Sequence, residues 1–105
     1  MTVGEWLDGR TPAPPPVLRA RIREALGDAS AASAHGVADL CLGAAERLVG
    51  ALLAGDCTSR DCALDLLTAD ALVTYAFEAA EQSPGDLVPR AAAAMRRIAA
   101  LGATP

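Results

Sequence analysis

From residue 16 onward, apolar side chains recur every three or four positions with charged and small polar residues between them, which is the period of an amphipathic helix. Leu18, Ile22, Ala25 and Leu26 predict a first long helix. Pro16 suits its first turn, where the missing N–H would have no partner, and Gly27 suits its end. Val37, Cys41, Ala44, Ala45, Leu48 and Leu52 predict a second helix, capped by Ser30 or Ser33 and stopped at Gly55. A third is predicted from Thr58, with Asp61 favoured in its first turn by the helix dipole, to about Gln82. Leu87, Ala91, Ala94, Ile98 and Leu101 make the cleanest stripe and predict a fourth, entered through a turn at Ser83-Pro84-Gly85-Asp86 with Pro89 in its first turn. No stretch alternates with the period of a strand. The expected fold is all-α: a small antiparallel bundle of four main helices, because the links at 55–57 and 83–86 are short.

The N-terminus reads differently. Thr2 and Glu5 have the capping-box spacing, so Val3 to Leu7 predicts a single helical turn anchored by Trp6 and Leu7. Thr11-Pro12-Ala13-Pro14-Pro15-Pro16 must be extended, since proline fixes φ and excludes the residue before it from the helical region. It predicts a spacer that lays the N-terminal turn across the bundle. The chain therefore divides into an arm, residues 1–15, and a bundle, residues 16–105.

Two features depart from a plain bundle. Gly36, Gly43 and Gly50 recur at seven-residue spacing and fall on one side of the second helix, drifting about 20° per step. Each costs about 0.8–1.0 kcal/mol against Ala inside a helix, so a closely packed helix or a ligand is expected along them. The third helix carries two apolar faces: Cys62, Leu66, Ala69, Val73, Phe77 and Ala80 on one, and Leu64, Leu67, Ala71 and Tyr75 on the other. Polar strips separate them, one of Asp61, Asp65 and Thr68, the other of Asp70, Thr74, Glu78 and Glu81. A helix apolar on two sides is central in its domain or shared with another subunit. Gly36, Gly43, Gly50, Leu64, Leu67, Ala71 and Tyr75 are thus the candidate interface, with a second copy or another helical protein as partner.

Composition supports that reading. The 105 residues fit one domain, and although 52% are hydrophobic only 3% are aromatic, so the core is thin in large side chains. A homodimer is the commonest way to add apolar area. The net charge is −4 and every basic residue is Arg, which disfavours nucleic acid; Arg19, Arg21 and Arg23, like Arg96 and Arg97, read as solvated helix faces. Nothing reads as a secretory signal or a membrane span. Three cysteines, an odd number, predict free thiols in a reducing cytoplasm.

The groups that carry chemistry form no recognised catalytic constellation, and the sequence implies no cofactor. Asp70, at the edge of an apolar face, predicts an ion pair with an Arg of a neighbouring helix. Asp61, Asp65 and Asp70 are the alternative divalent-metal set, although such catalysis needs carboxylates converging from at least two helices. His35 and Asp39 stand one turn apart, too few for zinc. Cys41 and Cys62 read as small buried hydrophobes; Cys57, just before a helix, is an alternative redox partner for Cys62 because the dipole lowers a thiol's pKa there. Ala69 to Glu78 resembles a helix segment of the polyprenyl diphosphate synthases. Asp61-Cys62-Ala63-Leu64-Asp65, however, lacks the spacing of their magnesium-holding aspartate motifs, and the chain is far too short. The thiols are similar in outline to those of small helical peroxidase-type reductases, but four residues rather than two separate Cys57 from Cys62. Neither family is adopted.

Overall fold

The computed structural model describes residues 1–55, 58–81 and 84–102, without the side chains at 84–87 and 90. It is 83% helical, and the described residues contain five α-helices, four of them long, and no strand. The helices are α1 (Val3–Asp8), α2 (Pro16–Leu26), α3 (Val37–Ala54), α4 (Arg60–Ala80) and α5 (Pro84–Leu101). None of the described helices is long and apolar enough to cross a membrane.

Local chemistry explains most boundaries. The capping box at α1 forms in full: the Glu5 amide donates to Thr2 Oγ1 at 3.2 Å and the Thr2 amide donates to Glu5 Oε1 at 2.9 Å. Pro16 opens α2 and Gly27, at φ 55°, closes it, in the left-handed region that glycine enters without a Cβ clash. Three boundaries differ from expectation. Ser33 caps a short 3-10 turn, Ala34–Gly36, and α3 begins only at Val37, so Gly36 lies outside the helix. Ser59 rather than Thr58 caps α4, its Oγ accepting from the Cys62 amide at 3.2 Å. Helix α5 begins at Pro84, so the expected turn is helical over 84–86 and Pro89 falls inside the helix, where it donates no hydrogen bond. Ser83, assigned to that turn, lies outside the described residues.

The core gathers around α3 and α4, whose mutual contact is the most extensive in the molecule. Cys41, Ala44, Ala45 and Leu72 are at most 1% exposed, joined by Ile22 and Leu26 from α2. Helix α1 belongs to this core as well, with Val3 fully buried and Trp6 6% exposed. Its position is fixed by backbone bonds to the segment before α3: the Val3 amide donates to the Ala32 carbonyl at 2.9 Å, and the Ala34 amide to the Met1 carbonyl at 3.0 Å. The approach is tight at Gly4, where an added Cβ would stand 3.2 Å from Arg23 Nη1 and 3.3 Å from the Ser30 carbonyl oxygen. The N-terminal turn packs against the segment between α2 and α3, and its largest side chain enters the core.

Ion pairs tie the elements together at the surface. Asp8 accepts from Arg19 and Arg23 at 2.6 and 2.5 Å, linking α1 to α2. Arg21 donates to Asp61 and Asp65 at 2.9 and 3.1 Å, linking α2 to α4, and Arg97 of α5 pairs with Glu46 of α3. The Arg19, Arg21 and Arg23 row and Arg97 are therefore paired, not merely solvated as their spacing suggested. Solvent screens such exposed pairs, so they fix orientation more than stability.

Candidate interaction surface

Helix α4 orients itself by a strip that the sequence read as polar. Its buried residues are Thr68, Ala69, Leu72, Ala76 and Ala80, and Leu72 has no exposure at all. Thr68 sits 1% exposed because its hydroxyl donates to the Leu64 carbonyl one turn earlier at 2.7 Å, so nothing polar is left unsatisfied. Ala69 and Ala80 of the first predicted apolar face lie on this line, and the other residues of the two faces flank it. Ala71 and Tyr75 pack against the core, and Tyr75 meets Trp6 edge to face, ring centroids 6.4 Å apart at 87°. Burial raises the Tyr75 hydroxyl's pKa, and neighbouring Glu78 adds to the shift. The chain's own N-terminal helix thus covers Tyr75 on the face assigned to a second subunit.

What stays uncovered is the side opposite Leu72. Leu66 is 59% exposed, Leu67 55% and Phe77 37%, and Ala63, Asp70, Thr74, Glu78 and Glu81 are exposed among them. On a helix of 3.6 residues per turn, Leu66 and Phe77 lie within about 20° of one another, with Ala63, Asp70 and Thr74 between them and Leu67. Each exposed side chain alone is ordinary; three large ones along one side of the longest helix form a surface. Of the predicted interface, Leu67 lies on it. Leu64 is half-buried on the flank next to it.

The glycines are placed elsewhere. Gly43 and Gly50 fall on the side of α3 away from its buried line. A Cβ at Gly43 would meet only Arg47 of its own helix at 3.6 Å, and one at Gly50 would meet Leu101 of α5 at 3.8 Å. These are ordinary van der Waals distances, so among the described residues no other helix approaches these two glycines closely. The glycine that does permit a close approach, Gly4, has no periodic partner and carried no sequence signal beyond its place between Val3 and Trp6.

The alternative divalent-metal set is not brought together. Asp61 and Asp65 share Arg21, whereas Asp70 is exposed on the opposite side of α4 and makes no ion pair among the described residues. Among the described residues no three His, Cys, Asp or Glu side chains are grouped to hold a metal. Cys62 is disulfide-bonded and half-buried, not a free buried hydrophobe; Cys57 lies outside the described residues. Cys41 is free, fully buried, and pushed by desolvation to a pKa of about 11, which leaves it a thiol. A cleft of about 510 Å³ lies beside α1, lined by Glu5, Trp6, Arg10, Ser33 and His35 among others. Two of its polar groups are engaged within the chain: Glu5 closes the capping box, and Arg10 lies 3.9 Å over the Trp6 ring while its Nε donates to the Trp6 carbonyl.

The chain matches no protein-family model, no curated protein and no solved structure. The surface itself must carry the functional reading.

Proposed function

We propose that this protein is a non-catalytic helical interaction module that seats a partner helix on the outward side of α4. One observation supports the reading above others: Leu66, Leu67 and Phe77 remain exposed along a helix whose other side enters the core through Thr68, Ala69, Leu72, Ala76 and Ala80. In a helix-in-groove contact, apolar side chains at three- and four-residue spacing enter between those of the partner, and acidic neighbours set orientation. In this reading α3, α4 and α5 are consecutive antiparallel members of a bundle, which holds α4 straight as a platform.

The test is amide chemical-shift mapping of the whole chain on addition of a synthetic 18-residue amphipathic helix, with leucine on one face and mixed Gln and Arg on the other. Shift changes should fall on the outward positions from Ala63 to Glu81 and vanish in Leu67→Asp. Changes centred elsewhere, or none, would refute the reading.

A further inference from the structure

The outward side of α4 is ordered along its length. Arg60 is exposed at the N-terminal end and makes no ion pair among the described residues, while exposed Glu78 and Glu81 stand at the C-terminal end. The apolar residues Leu66, Leu67 and Phe77 lie between. A strip with a cation at one end, acids at the other and apolar groups in the middle is complementary to itself reversed. We infer that the helix seated there is α4 of a second copy, running antiparallel about a two-fold axis between Leu66 and Phe77. This rests on the module reading above and names its partner.

The register follows from geometry. A two-fold axis perpendicular to both helices keeps each residue on the same lateral side of the seam, so Leu66 and Phe77, about 20° apart on the helix, face one another twice. That alignment brings Arg60 within about two residues, roughly 3 Å along the axis, of the second copy's Glu81, which the long guanidinium side chain spans. The antiparallel arrangement also opposes the two helix dipoles. One contact is unfavourable: the two Asp70 carboxylates lie roughly 5 Å apart along the axis, with no cation on that stretch of the strip. This repulsion is a signature of the register, because removing it strengthens association.

The experiment is sedimentation equilibrium of the full chain from about 1 µM to 1 mM, with variants at exposed positions whose folding is checked by circular dichroism. The wild-type chain should form a concentration-dependent dimer. Arg60→Glu and Glu81→Arg should each weaken it about tenfold, the double variant should return it to within about twofold of wild type, and Asp70→Asn should tighten it several-fold. A wild-type chain that stays monomeric throughout would overturn the inference, as would charge exchange without recovery or an Asp70→Asn dimer weaker than wild type. If a monomeric chain still binds the synthetic helix on α4, the module reading stands while the second-copy inference falls.

Discussion

Helices α1 and α5 invert the usual relation between helical pattern and hold on the core. Helix α1 has six residues, too few for a periodic stripe, yet three of them are buried, including Trp6. Helix α5 has eighteen and the clearest stripe in the sequence, yet among its described side chains only Ala94 is buried, while Val88 is 77% and Met95 69% exposed. The stripe places Ala91, Ala94 and Ile98 inward as expected, but alanine removes little apolar area from water, so a correct pattern makes a shallow contact. The short helix makes the deeper one because it brings an indole, a capping box and backbone bonds to the segment before α3. Pattern gives direction; side-chain size and backbone pairing decide attachment.

The comparison is easiest to break with large-to-small substitutions. Trp6→Ala removes the ring that meets both Tyr75 and Arg10, and should cost about 3–5 kcal/mol in urea unfolding, a large part of a small domain's stability. Ile98→Ala, at a half-buried position of the long helix, should cost no more than about 1.5 kcal/mol. Equal losses would show that α5 is attached as firmly as α1.

The same contrast explains what could be read in advance. The helical class, the proline entry to α2, the Gly27 exit, the capping box and the inward side of α5 were all legible, because each depends on residues within a few positions of one another. The orientation of α4 was not. Its buried line runs through Thr68 and Leu72, and a threonine counts as polar until its hydroxyl is seen to bond the Leu64 carbonyl. Nor could spacing reveal that Tyr75 would be covered by Trp6, sixty-nine positions earlier in the chain, or that Asp61 and Asp65 would converge on Arg21 rather than on a metal. Leu67 was expected at an interface; Leu66 and Phe77 were placed with Cys62, Ala69, Val73 and Ala80 on the other apolar face. They stayed outside because α4 packs on α3 along Ala69, Leu72, Ala76 and Ala80, at one edge of that face rather than at its centre.

The glycines sharpen the contrast at smaller scale. Gly4 in α1 lies at a tight approach, whereas Gly43 in α3 has room for a methyl group and an ordinary helical φ. Gly43→Ala should therefore stabilise the chain by about 0.5–1 kcal/mol, through helix propensity and a less flexible unfolded state. The same substitution at Gly4 sets that gain against contact with the Ser30 carbonyl and should return less than the gain at Gly43. A loss at Gly43 in thermal unfolding would mean that something packs closely on that side of α3 after all.

The smallest effect tests how far the ion pairs assist α1. Hydrogen bonds from Arg23 and Arg19 hold the Asp8 carboxyl's pKa below its usual value in the folded chain, and no such partners exist when it unfolds. A depressed folded pKa means that the unfolded chain binds the proton more readily. The stabilisation is therefore complete above the usual aspartate range near pH 4 and fades as the pH falls through the lower folded value. Asp8→Asn should lower the midpoint of thermal unfolding slightly at pH 7, and the gap from wild type should close as both are acidified toward about pH 2. Because the pairs lie at the surface, solvent and salt screen them, so the gap should also narrow on adding salt at pH 7. A gap that persisted in acid and in high salt would assign the role of Asp8 to packing, leaving α1 held by Trp6, Val3 and its backbone bonds without help from charge.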